Sequence, residues 1–323
     1  MSYKGNPWRI VTATVTGASH IRKWLREQNR EASSIGALAS DAAVIHELSQ
    51  DRVEVSLGAP VSGDSVKMNP TVVAVSDGHG GVKYVRSGIG AEFAVSGACK
   101  AAALNSNLTN EMRGAYIDQI ASHIKTRILD AWFKDVDNFT MNYPFLDEEL
   151  CALSENARND LIANPRKAYG CTLLWVVAYE DMLVTFQLGD GNIILLYEDG
   201  RVESTNDLSV HEPGEETESL CMVSSPHEIK HQVYRSDEKG EGLPVLVAIS
   251  SDGLYKSYEL DEDFLKIPKI CFDTLRESNF NREKVESIIK DFLQVVTDKG
   301  AGDDTTLGIL YNFERLSVKP TLT

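Results

Sequence analysis

The chain has 323 residues, 42% apolar and 25% charged, an ordinary composition for a folded protein with a sizeable core. Its formal charge of -16 disfavours nucleic acid and anionic membrane surfaces as partners, since both call for a basic face. Residues 1–10 lack an apolar core of signal-peptide length, and the longest apolar run, around 173–179, is far short of the ~20 residues of a membrane helix. Five cysteines, widely spaced and without a CxxC, read as reduced thiols, so a cytoplasmic chain is expected.

In chain order, residues 11–15 alternate like a strand and run into Thr16-Gly17-Ala18-Ser19-His20. Residues 21–34 are basic and polar and suit a helix or a loop. Residues 42–48 read as a strand, 57–69 as a Gly/Pro/Ser loop and 71–76 as a third strand. Val82, Val85, Ile89 and Phe93 share one helical face that continues through small residues to Ala103. Met112, Tyr116, Ile120, Ile124, Ile128 and Trp132 recur at every fourth position, an amphipathic stripe. Residues 171–178 and 182–188 flank Tyr179-Glu180-Asp181 as a hairpin, and 193–197 and Val202 flank Asp199-Gly200 as another. Val285, Ile288, Ile289, Phe292, Leu293 and Val296 make a last helix that Gly300 can end. This order suggests an α+β layered fold with antiparallel sheets. No repeat or compositional break appears, so one domain over approximately 9–312 is expected. An acidic, exposed flap is expected around 203–225.

The chemistry lies at strand ends. The run Val72-Val73-Ala74-Val75 closes in Asp77-Gly78-His79-Gly80-Gly81, and Val245-Leu246-Val247-Ala248-Ile249 closes in Ser251-Asp252-Gly253. Asp303-Asp304-Thr305-Thr306 opens the run Leu307-Gly308-Ile309-Leu310. A single Asp-Gly is most often a turn. Three carboxylates at the ends of three strands suit a hard divalent cation, which takes oxygen ligands. Two such ions ~3.5–4 Å apart can hold a water, lower its pKa and aim it at phosphorus.

At these residues the chain resembles the metal-dependent serine/threonine protein phosphatases of the 2C type, with a bacterial-like subgroup suggested by Gly17-Ala18-Ser19-His20. The family's markers appear in order as Asp77-Gly78-His79-Gly80-Gly81, Leu188-Gly189-Asp190, Ser250-Ser251-Asp252-Gly253-Leu254 and Asp303-Asp304-Thr305-Thr306. Tyr169-Gly170-Cys171-Thr172-Leu173 also looks like the family's Gly-x-Thr strand start. The resemblance spans about 11–311. It implies a four-layer αββα sandwich, two antiparallel sheets flanked by helices, with two Mn²⁺ or Mg²⁺ ions in a channel at one end. It assigns Asp77 as the bridging ligand, Gly78 as a carbonyl ligand, and Asp252 and Asp303 as further ligands. Asp41 is the best match to the family's early metal-shell aspartate, at a longer spacing than usual. His79 matches the general acid. The implied activity is hydrolysis of phosphoserine and phosphothreonine in proteins, opposing a serine/threonine kinase.

Two positions depart from the family's pattern. Gly36 stands where many members carry a phosphate-gripping Arg five residues before the early Asp, and Arg22, Arg26 and Arg30 are candidate substitutes. Lys256 stands where some members have an aspartate for a third metal alongside the mid-chain Asp190. Three rival readings accompany the phosphatase: a catalytically weak or dead member that binds phosphoproteins, a small-molecule phosphomonoester hydrolase, and a zinc protease. The last rests on His227-Glu228-Ile229-Lys230-His231, which needs a helix to work, and Pro226 and Val233 argue for a strand there.

Overall fold

The computed structural model describes residues 6–17, 50–56, 70–103, 110–206, 208, 217–236 and 242–318. The strands β1 (Trp8–Val15), β10 (Thr305–Asn312), β9 (Leu246–Ser250), β6 (Asn192–Leu196) and β7 (Val202–Ser204) lie side by side in that order as one sheet. The second sheet runs β2 (Arg52–Ser56), β3 (Thr71–Ser76), β4 (Leu173–Ala178), β5 (Met182–Leu188) and β8 (Lys230–Arg235). Every pairing is antiparallel.

Side chains alternate across a strand, so each central strand feeds two apolar layers. Val73, Val75, Leu174 and Val176 meet Val247, Ile249, Ile193, Leu195 and Leu310 between the sheets. Val72, Ala74, Trp175 and Val177 face outward against α1 (Ser87–Ala103) and α2 (Asn110–Asn142). Leu246, Ala248, Leu307 and Ile309 face outward on the other side, against α7 (Ile267–Glu277) and α8 (Arg282–Lys299). That is the αββα sandwich. With both faces covered, β3, β4, β5, β6, β9 and β10 are buried along their whole length. Shorter helices, α3 (Asp147–Leu150), α4 (Glu155–Ala163), α5 (Asp252–Tyr255), α6 (Asp261–Phe264) and α9 (Phe313–Val318), complete the described fold.

The structure changes several local expectations. Helix α1 begins at Ser87; residues 82–86 turn after Gly80-Gly81, and Val82 is 70% exposed. In α2 Ile117, Ile120, Ile124, Ile128 and Trp132 are buried, whereas Tyr116 has non-helical dihedrals (φ -121°, ψ 21°) and an exposed side chain. Strand β2 and helix α7 were not expected from sequence. The pattern His227 to His231 is not helical: Pro226–Glu228 is a 3₁₀ turn and His231 lies on β8, so the two histidines cannot share a helical face. The segments 21–34 and 42–48 lie outside the described residues, as do residue 207 and residues 209–216 within the expected flap. On the flap's flanks Leu208 is buried, and Leu220 donates its N–H to the Cys171 carbonyl at 2.9 Å.

One buried cation clamps the connection from Asp77 to α1. Arg86 is 6% exposed and donates to both oxygens of Glu149, at 2.7 and 2.8 Å. It also donates to the carbonyls of Tyr143 and Pro144 and to the Tyr169 hydroxyl. The fork geometry suits arginine and no other cation. Arg86→Ala strands the carboxylate and two carbonyls, so a loss toward the lower end of roughly 3–5 kcal/mol is expected from urea denaturation. Arg86→Lys should recover less than half of it, and a parental midpoint for Arg86→Ala would remove this clamp from the account.

Candidate active site

Strand register gathers the acidic residues. Arg52 sits opposite Ser76, which places Asp51 beside Asp77. Val15 sits opposite Thr305, and Ser250 opposite both Leu307 and Asn192. The end of β1, the start of β10, the end of β9 and the turn before β6 therefore share one edge. A direct bond joins the two sheets there: the Gln50 N–H donates to Asp304 Oδ2 at 2.7 Å. At this edge opens a cavity of about 420 Å³, lined by Asp77, Asp190, Asp252 and Asp303, with His79, Lys83 and Lys256 on its walls.

Each side chain is held by its local backbone. Asp77 leaves β3 with its N–H on Thr172 Oγ1 at 3.0 Å, and its carbonyl accepts the Thr172 N–H at 2.8 Å. Gly78 packs on the start of α1, where a Cβ would stand 2.8 Å from the Ser87 carbonyl carbon. His79 donates its N–H to the Gly170 carbonyl at 3.0 Å, and its ring meets Tyr84 edge-on with centroids 4.8 Å apart. Lys83 Nζ lies 4.9 Å from the centre of the same Tyr84 ring. Gly253 allows α5 to lie on the Asp304 carbonyl, which a Cβ would overlap. Asp303 turns toward the cavity and caps the Asp304 N–H at 3.0 Å.

Behind the cavity wall lies a support network. Asp304, 3% exposed, accepts from the N–H groups of Gly17 (2.8 Å) and Gln50 (2.7 Å). Asp51, 1% exposed, accepts from the Ser251 hydroxyl at 2.6 Å, and Ser251 Oγ in turn accepts the Thr306 N–H at 3.0 Å. Asp190 accepts from the Thr217 hydroxyl at 3.0 Å.

Crowding and burial act together on the carboxylates. Loss of water, then the charges of Asp51, Asp252, Asp303 and Asp304, push Asp77 well above the usual carboxylate range. Burial and the Asp304 charge push Asp51 up to about 8, against the lowering effect of its Ser251 bond. Burial and Asp190 raise Asp252, opposed by Lys256. Partial burial works against the Lys256 charge, but Asp252, Asp303 and Asp190 outweigh it and hold the ammonium above the ordinary lysine range.

The structure thus brings together Asp77, Gly78, His79, Asp252 and Asp303. Asp41, Gly36, Arg22, Arg26 and Arg30 lie outside the described residues. The carboxylate that sequence reading passed over is Asp51, which carries the same signal as the others: an aspartate at the end of an alternating run, Arg52 to Ser56. The described cations that line the cavity are Lys83 and Lys256.

No three His, Cys, Asp or Glu side chains among the described residues converge as a ready-made metal shell. The donor set nonetheless fits a hard cation. It is all oxygen, its members repel one another, and buried Asp252 Oδ1 has no hydrogen-bond partner among the described residues.

Comparison with known proteins bears on the family and the fold. The sequence profile described as protein phosphatase 2C matches residues 49–294. No curated protein matches the chain in sequence. A bacterial serine phosphatase has the same fold at 11% identity, with a TM-score of 0.52 over 94% of this chain and 97% of its own. The serine/threonine phosphatase Stp1 from Staphylococcus aureus superposes with a TM-score of 0.52 at 12% identity, covering 95% and 96%. The catalytic domain of the serine threonine protein phosphatase PstP, solved with two manganese ions, gives 0.50 at 14% identity, covering 94% and 97%.

The Asp51 shift has a signed consequence in chelator. A carboxyl with a raised folded-state pKa favours folding while it stays protonated. Its contribution is complete below about pH 4 and is lost as pH rises to about 8. Asn at this position still accepts the Ser251 bond but does not titrate. The melting temperature of Asp51→Asn minus that of the parent should therefore widen from about pH 5 to about pH 8 and then level off. A gap that stays flat across this range would show that Asp51 is not held protonated.

Proposed function

The chain belongs to the protein phosphatase 2C family, and we propose that it releases phosphate from phosphoserine and phosphothreonine in proteins, with two Mn²⁺ or Mg²⁺ ions as cofactor and a serine/threonine kinase as its opposing partner. The observation that carries this reading is one cavity shared by Asp77, Asp252, Asp303 and His79.

Asp77, Asp252 and Asp303, with the Gly78 carbonyl, are the residues that would hold the ions. When bound, two divalent ions supply charge neutralisation for the phosphate and activation of a water. The chain's own part is positional. The Thr172 bonds fix the backbone of Asp77, and Ser251 and Asp304 tie the ends of β9, β10 and β1 to the residues before β2. His79, which lines the cavity and is steadied by Tyr84 and Gly170, would supply the proton that a leaving serine oxygen needs. As the phosphorus–oxygen bond breaks, the proton passes from the imidazolium to that oxygen. No helix among the described residues is long and apolar enough to cross a membrane.

The Lys256 contact with two of the proposed ligands favours a second reading, a phosphoprotein-binding member with weak turnover. Phosphate release from phosphopeptides, with Mn²⁺ or Mg²⁺ and then with excess chelator, separates the two. Turnover that disappears in chelator and in Asp77→Ala supports the enzyme, whereas binding without release in every condition supports the binder.

The general-acid assignment makes a further demand. His79→Ala should slow release from phosphoserine peptides by about 10²–10⁴-fold and affect nitrophenyl phosphate far less, because nitrophenolate leaves without a proton. Equal losses on both substrates would assign His79 another role.

A further inference from the structure

The acidic cavity carries a cation of its own. Lys256 follows Asp252 by one turn of α5, with its backbone N–H on the Asp252 carbonyl at 2.8 Å. Its ammonium pairs with Asp252 Oδ2 and stands 3.7 Å from Asp303 Oδ2. An Asp–Lys pair four residues apart on a helix surface is ordinarily worth little. This one differs in two respects. The Asp252 side chain is only 8% exposed, and the second carboxylate comes from the start of another strand. The ammonium therefore bridges the ends of β9 and β10, across the pair of carboxylates that a divalent ion would share. Only one oxygen of Asp252 is taken. Oδ1, buried and without a hydrogen-bond partner among the described residues, still calls for a cation. The lysine stem is half exposed, so the ammonium has a route to solvent.

We propose that Lys256 is a tethered cation that competes with divalent metal for the Asp252–Asp303 pair, so that full metal loading requires its ammonium to leave. The inference rests on the reading of this cavity as a metal-dependent phosphatase site, and it adds a residue that sets metal affinity. In the metal-free chain the ammonium relieves repulsion between the two carboxylates. With metal present it must be expelled, because a divalent ion and an ammonium a few ångströms apart repel strongly at low dielectric.

The test is Mn²⁺ titration by calorimetry of the parent, Lys256→Met and Lys256→Arg at one pH, together with melting temperatures in chelator and in saturating Mn²⁺. Lys256→Met should bind Mn²⁺ at least about tenfold more tightly, the change expected from removing roughly 1.4 kcal/mol of competition. It should melt below the parent in chelator and at or above it in saturating Mn²⁺. Lys256→Arg keeps the charge and should lie closer to the parent on both measures. Equal Mn²⁺ affinity in the parent and Lys256→Met overturns the proposal. If that equality accompanies Mn²⁺-dependent phosphate release, the phosphatase reading survives alone. If Lys256→Met binds more tightly but no variant releases phosphate, the tethered cation survives and the phosphatase reading falls. No Mn²⁺ binding by any of the three overturns both.

Discussion

Repulsion between carboxylates is the constraint around which this molecule is arranged. Two like charges 4 Å apart cost about 4 kcal/mol at an effective dielectric near 20. Asp51, Asp77, Asp190, Asp252, Asp303 and Asp304 meet at one end of the sandwich, several of them withdrawn from water. The fold answers with a different device at each position. Asp304 takes two backbone N–H groups, Asp51 the Ser251 hydroxyl, Asp190 the Thr217 hydroxyl and Asp252 the Lys256 ammonium. Burial, and after it the remaining excess of negative charge, pushes Asp77 and Asp51 upward, and that excess makes the cavity a place for cations.

Such crowding persists only if the backbone cannot relax away from it. Apart from half-buried β2, the strand ends that carry the aspartates continue strands buried on both faces, where each side chain is committed to a layer. Shifting β3 by one residue to separate Asp77 from Asp51 would exchange Val73 and Val75 for Val72 and Ala74 in the layer between the sheets. Shifting β9 would do the same to Val247 and Ile249. The apolar pattern thus fixes the register, and the register fixes the charges. Arg86 makes the same point outside the sheets, since it ties the loop after Asp77 to Tyr143, Pro144 and Glu149.

The parts legible in sequence were those where period and punctuation coincide. Runs such as residues 72–75 and 245–249 stop at Asp-Gly, so both the strand and its functional end could be read, and the sandwich followed from a family resemblance. The helical face starting at Val82 misled because two glycines and a turn come first, and Tyr116 belongs to the stripe by spacing but lies at a kink. Asp51 was missed because β2 is short and only half buried, a weak pattern beside the apolar runs. The bridging of Lys256 was illegible for another reason. Its second partner, Asp303, is 47 residues away in sequence, and only the pairing of β9 with β10 brings them together.

The neighbouring residues Asp303 and Asp304 show how one local rule divides chemistry from support. In an extended segment successive side chains point to opposite sides. Asp303 therefore faces the cavity, over a third exposed, while Asp304 turns inward and bonds Gly17 and Gln50. Ser251 and Asp252 divide the same two tasks across the β9–β10 pair, here where strand gives way to helix α5: Ser251 holds Asp51 and Thr306 behind the wall, and Asp252 lines the cavity. The ends of β9 and β10 thus each contribute one residue to the site and its neighbour to the foundation. The inward residues join β1, β9 and β10 of one sheet to the start of β2 in the other. The outward carboxylates are consequently held close by the same bonds that hold the two sheets in place, and the fold cannot release one without loosening the other.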